Sequence, residues 1–233
     1  MINFNTDRLI IFCYPRYAGG KFLINSLGLS DDCLFQSAPL AEAQLEAKFT
    51  QSDKLNYLLT SLEAVTYDWD DLHLGCHYFF GPTNYDYVYN VPLKFNPVVE
   101  KSINDNKYFF LVTHNNLFLT KYISHWKNPK IVQFTDYYKF IDFYNRVEQH
   151  HTKYHQEVWD QSMNLAIERT SLDKITWNTD WYFSKKETIE QIYNLYVKLN
   201  LGNFNEQAIA TYYDEWIAAL LRIKKRKEDE NNA

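Results

Sequence analysis

The sequence predicts an α/β fold, with a mainly parallel sheet covered by helices on both faces in three layers. Three observations carry this. Unbroken apolar runs such as Leu9–Phe12 and Tyr108–Thr113 read as buried parallel strands. Segments with apolar residues at helical spacing alternate with them. The first strand is separated from the first helical segment only by a short stretch holding Gly19 and Gly20.

In chain order, Leu9-Ile10-Ile11-Phe12 is the first strand, and Lys21 to Leu27 opens a helix. Pro39 to Phe49 is rich in Ala and Glu and reads as helical. Ser52 is placed to cap a helix with Leu55, Leu58, Leu59 and Leu62 on one face. Leu72–Phe80 and Tyr87–Val91 read as strands around the Gly81–Asn84 turn. Tyr108–Thr113 is a buried strand ending at His114. A helix is expected over Leu117–Trp126, stopped by Pro129. Lys130–Phe134 is the next strand, and a long helical stretch runs from about Asp136 through Met163. Lys174–Trp177 is the last strand. Two helices close the chain. One puts Ile189, Ile192, Tyr193, Tyr196 and Val197 on one face and stops at Gly202. The other is capped by Asn205 and presents Ile209, Tyr212, Tyr213, Trp216, Ile217, Leu220 and Leu221.

The 233 residues fit one domain over 1–221, with a charged, solvated tail over 222–233. A net charge of −5 gives no broad nucleic-acid-binding surface. Three cysteines, few and odd in number, fit a reducing cytosol better than a disulfide framework. No stretch approaches the ~18 uninterrupted apolar residues of a membrane span, and the N-terminus lacks a signal pattern. The expectation is a cytoplasmic chain. Exposed aromatics on the last helix leave self-association open. With 19 Tyr and 16 Phe, a compositional bias is evident, so single aromatics carry little weight as stacking sites.

The Leu9–Leu29 stretch has the form of a phosphate-binding loop: strand, glycine turn, helix N-terminus. Glycines let the backbone approach an anion, and the helix start offers free N–H donors. The nucleotide-hydrolysing pattern GxxxxGK[ST] is nearly met, with Gly20 and Lys21 in place. Pro15 stands where a small residue belongs, and Phe22 replaces the magnesium-binding hydroxyl. Such a loop holds phosphates as a handle without metal-assisted cleavage of a γ-phosphate, which disfavours a kinase.

Here the sequence resembles the sulfotransferase family, whose P-loop-type domain carries Y-P-[KR]-S-G-T-T-W after a strand. Tyr14, Pro15 and Arg16 match; Tyr17, Ala18, Gly19, Gly20 and Lys21 fill the other five positions and differ. The family's strand-end Thr-His pair is matched by Thr113-His114. Trp126, Lys130-Ile131-Val132 and the order of Ile175–Leu201 follow at similar separations. The resemblance implies a P-loop NTPase-like fold and a donor, 3′-phosphoadenosine-5′-phosphosulfate, held by Tyr14 to Phe22. It implies transfer of sulfuryl to a hydroxyl of a small molecule or glycan. His114 would be the general base, and Arg16 and Lys21 the cations facing the bridging oxygen. Backbone donors from Ala18 to Lys21 would fix the phosphate. No metal is required.

Beyond the loop, the family's C-terminal Arg-Lys-Gly segment is missing, and two further positions depart from the family. The Arg and Ser that hold the donor's 3′-phosphate fall by counting on Asp136 and Tyr144, and a carboxylate there repels a phosphate. Lys139 or Arg146 could substitute. The alternative reading is therefore a non-catalytic nucleotide- or phosphate-binding relative with a degenerate donor site. Arg16 could equally be a surface ion-pair partner, Lys21 a helix-surface residue and His114 a hydrogen-bonded strand end. His73 and His77, near Cys76 and Asp70, have loose metal-ligand spacing, but on a strand their rings stand ~13 Å apart. His150, His151 and His155 read as a polar helix face, and Trp69, Trp177, Trp181 and Trp216 as core.

Overall fold

A computed structural model describes residues 8–15, 18–33, 49–64, 77–80, 106–113, 129–144 and 173–231. Among the described residues the strands are β1 (Leu9–Cys13), β2 (His77–Phe80), β3 (Phe109–Thr113), β4 (Lys130–Thr135) and β5 (Lys174–Asn178). The helices are α1 (Gly20–Gly28), α2 (Gln51–Ala64), α3 (Tyr138–Tyr144), α4 (Lys185–Leu199) and α5 (Glu206–Asn231). A 3-10 turn, Thr179–Phe183, follows β5.

The strands form one sheet in the order β2-β3-β1-β4-β5, with every pairing parallel. This is an α/β fold with a parallel sheet. β1 is central and buried along its length, which is why it reads as LIIFC with no alternation. Its register sets Cys13 level with Thr113 on one side and Gln133 on the other. The connection leaving β1 runs toward β2, whereas β4 leads away toward β5. The β1–β4 neighbours are therefore a switch point, where open parallel sheets bind ligands beyond the strand ends.

The chain divides into two compact units. Met1–Ala18, His77–Asp136 and Gln149–Asn178 form one, which holds the sheet; Gly19–Cys76, Tyr137–Glu148 and Thr179–Ala233 form the other, which holds the helices. Within the sheet unit, Phe12 meets Phe110 edge-on at 5.4 Å, and Tyr14 lies against Phe134 at 4.9 Å. Within the helical unit, the Phe22 ring stacks with Trp216 at 4.2 Å and with Tyr212 at 5.4 Å.

Several element ends differ from expectation. α2 is capped by Thr50 rather than Ser52: the Asp53 N–H donates to Thr50 Oγ1, and the Thr50 N–H donates back to the Asp53 carboxylate. That reciprocal box satisfies two orphan donors, and the Thr50 hydrogen bonds hold the exposed Asp53 carboxyl below its usual range. α4 ends at Asn200 in the left-handed conformation, not at Gly202. It buries Ile192, Leu195, Tyr196 and Leu199, while Tyr193 and Val197 are exposed. The charged tail continues α5 as helix through Asn231, with Ile223 buried and Arg222, Lys225, Arg226, Glu228 and Asp229 exposed. Asn205 caps α5 as expected, accepting from the Ala208 N–H at 3.0 Å. The segments expected over 39–48, 87–91, 117–126 and from beyond 144 to 163 lie outside the described residues.

Lys54 is the least expected core residue. It is 2% exposed, and its ammonium donates to the carbonyls of Gly28 at 3.0 Å and Ser30 at 2.5 Å. These carbonyls lie at the C-terminal end of α1, where the helix dipole favours a cation. Lys54→Met should lower stability by about 1–3 kcal/mol, because carbonyls left unpaired outweigh relief of the buried charge. Urea denaturation of the two chains measures this.

Candidate functional site

The candidate site is built where β1 stops. A parallel strand buried on both faces must leave the sheet at its end, and Pro15 removes the N–H that would extend the ladder. The Ala18 N–H then donates to the Pro15 carbonyl at 3.3 Å, closing a turn. That amide is spent internally, so the expected set of donors from Ala18 to Lys21 is shortened at its start. Gly19 follows at φ 74°, the left-handed region in which a side chain is strained. It is the N-cap of α1, and no side chain caps the helix.

The Gly19 carbonyl receives two hydrogen bonds. The Phe22 N–H donates at 3.1 Å, and the Tyr182 hydroxyl donates at 3.0 Å. A side chain at Gly19 has no room: a Cβ there would lie 2.8 Å from the Tyr182 ring and 3.2 Å from Phe140. Gly20 is buried, and neither its N–H nor that of Gly19 makes a hydrogen bond among the described residues. The first N–H groups of a helix have no intrahelical partner, which suits such a turn to an acceptor. Lys21 is half-buried on the first turn of α1.

Not every residue of the Tyr14–Phe22 set faces the turn. Phe22 is 1% exposed, in the aromatic cluster of the helical unit. Its ring belongs to the core, while its N–H donates to the Gly19 carbonyl. Tyr14 is buried against Phe134. Arg16, Tyr17 and His114 lie outside the described residues. Thr113, directly before His114, ends β3 level with Cys13. Cys13 itself is wholly buried, and burial pushes its thiol far above the usual range, so it is no nucleophile.

Asp136 closes β4 at φ 53° and is exposed. Left-handed backbone explains an Asp there, because Asp and Asn tolerate it better than an Arg does. Lys139, one of the two substitutes considered for the missing cation, pairs with Asp180 at 3.5 Å and lies over the Phe183 ring at 4.6 Å. Arg146 lies outside the described residues, as do His73, Cys76 and Asp70. Among the described residues no group of three or more His, Cys, Asp or Glu side chains gathers as a metal site. None of the described helices is long and apolar enough to cross a membrane.

The fold and site thus define an α/β chain with a left-handed glycine turn leading from its central parallel strand into a helix N-terminus. Comparison of the chain with protein families, with characterised proteins and with solved structures finds no match in any of the three.

Tyr182 was not legible in the sequence. It sits 163 residues from Gly19 in a short 3-10 turn, with no local pattern to mark it. Gly19→Ala should destabilise the chain by about 2–4 kcal/mol, combining the cost of left-handed backbone with overpacking against Tyr182. Denaturant titration checks this; a neutral result would mean the turn relaxes around the new methyl.

Proposed function

We propose that the chain is a sulfotransferase-like enzyme of three-layer, P-loop NTPase-like architecture. It moves a sulfuryl group from 3′-phosphoadenosine-5′-phosphosulfate to a hydroxyl acceptor on a small molecule or glycan. The observation that carries this reading is the pair of glycines after β1: Gly19 in the left-handed region, and the buried Gly20 amide without an acceptor among the described residues. Backbone donors at a helix start suit a phosphate. The Tyr14-Pro15-Arg16 match and the level ends of β1 and β3, the latter leading into His114, support the same reading.

In this chemistry Gly19 and Gly20 hold the 5′-phosphate by their amides. Arg16 and Lys21 offset charge growing on the bridging oxygen as the sulfur–oxygen bond breaks. His114 takes the acceptor's hydroxyl proton as the new ester bond forms. The leaving group is 3′,5′-adenosine bisphosphate. The Phe22 side chain offers no hydroxyl to a divalent ion, so the proposed transfer does not draw on one at this position.

One observation favours the second reading, a non-catalytic phosphate- or nucleotide-binding protein with a degenerate donor site. Asp136 occupies the turn after β4, and Lys139 is engaged by Asp180 and Phe183. Neither is suited to a 3′-phosphate.

Calorimetric titration with 3′,5′-adenosine bisphosphate tests the proposal. Binding that Arg16→Ala weakens by about tenfold or more, as loss of a charge-assisted contact requires, supports the transferase. Equal affinity for the bisphosphate and for 5′-adenosine monophosphate supports the degenerate site. No heat with either at millimolar ligand removes the donor assignment.

A further inference from the structure

The last helix, α5, is 26 residues long, and its inner face belongs to the core. Ile209, Tyr212, Tyr213, Trp216, Leu220 and Ile223 are buried. The aromatic residues of α5, expected from the sequence to be exposed, are thus inward. A second period lies on the outer face. Ala210, Asp214, Ile217, Leu221, Lys224 and Glu228 recur at alternating steps of four and three residues. That is the a/d spacing of a helix-to-helix seam, sustained over ~27 Å at about 1.5 Å per residue. Leu221 is 47% exposed, Asp214 and Glu228 are exposed, and Ala210, Ile217 and Lys224 are half-buried.

The order of residues along this stripe is self-complementary. Turn a copy of the helix end for end about a point near Ala219. Leu221 then faces Ile217 of the copy, Asp214 faces Lys224, and Ala210 faces Glu228. Two-fold symmetry makes each of these layers occur twice. The centre is apolar, and the layers flanking it join opposite charges. A parallel pair in register would instead set Asp214, Lys224 and Glu228 each against its own copy, three like-charge layers. The exposed Asp214, Glu228 and Asp229 also disfavour an anionic surface as the partner.

The flanking charges are held near the seam by the chain itself. Lys185 pairs with the Asp214 carboxylate, and the Lys224 ammonium lies over the Phe143 ring at 3.8 Å. Phe143 is itself exposed and widens the apolar patch beside Lys224.

We infer that the outer stripe of α5 is the interface of an antiparallel homodimer, with Leu221 and Ile217 at its centre and Asp214–Lys224 pairs on either side. The inference does not depend on the phosphate reading of the glycine turn. One helix pair is small beside the interfaces of permanent complexes, so the association is reversible, in the micromolar range.

Sedimentation equilibrium of the full chain, from micromolar to millimolar concentration, tests this. The wild type should pass from monomer to dimer. Leu221→Glu should raise the dimer dissociation constant at least about tenfold, because symmetry buries two such charges. Val197→Glu is the control: it lies on α4, is 62% exposed, and should leave the constant unchanged. Asp214→Lys and Lys224→Asp should each weaken the dimer by about three- to tenfold, and the two together should restore it. Only the antiparallel arrangement predicts that rescue, since in a parallel pair like faces like before and after the exchange. No effect of Leu221→Glu, an equal loss in Val197→Glu, or a double exchange that fails to recover overturns the inference. A chain that stays monomeric throughout also overturns it. Binding of that monomer to phosphatidylserine vesicles, lost in Leu221→Glu, would then assign the stripe to a membrane surface instead.

Discussion

The carbonyl oxygen of Gly19 is the point on which the site depends. It is held within the chain's own turn by Phe22 and from 163 residues away by Tyr182. A left-handed glycine alone permits many turns; this pair of donors selects one. The aromatic cluster behind it is what makes the selection rigid. Phe22, Tyr182, Tyr212, Tyr213 and Trp216 pack together, so Gly19 is backed by the 3-10 turn after β5 and by the last helix of the chain. Such burial of large rings contributes several kcal/mol, more than a surface loop could supply for itself.

Phe22 is the anchor of this cluster. Its phenyl ring turns inward and meets Tyr182, Tyr212, Tyr213 and Trp216, contacts that a Ser or Thr at that position would not make. At Asp136, likewise, the left-handed backbone after β4 favours the residue type.

Much of the sheet was legible because buried parallel strands leave a strong local mark. LIIFC, FFLVT and KIVQFT are apolar runs with few interruptions, and each is a strand. The helices were legible by period, though their ends and faces less so. Gly202 drew attention as a helix stop, yet Asn200 takes the left-handed cap; its side chain tolerates that backbone, and only the cap geometry distinguishes them. Tyr193 and Val197 fit an apolar period that the core declines in favour of Leu195 and Leu199. The Thr50-x-x-Asp53 box could have been read from sequence; the Ser two residues later masked it. In the loop, Gly19 and Gly20 were legible through glycine's backbone freedom. Tyr182 and Lys54 were not, since each acts on a carbonyl far away in sequence, and no periodicity encodes a tertiary hydrogen bond.

The account turns on one claim: the Gly19–Gly20 turn after β1 receives a phosphate oxygen. The most direct measurement is a crystal structure of the chain with 3′,5′-adenosine bisphosphate. The account predicts a 5′-phosphate oxygen about 2.9 Å from the Gly20 nitrogen, with the Tyr182–Gly19 hydrogen bond intact. A bisphosphate bound elsewhere would contradict it.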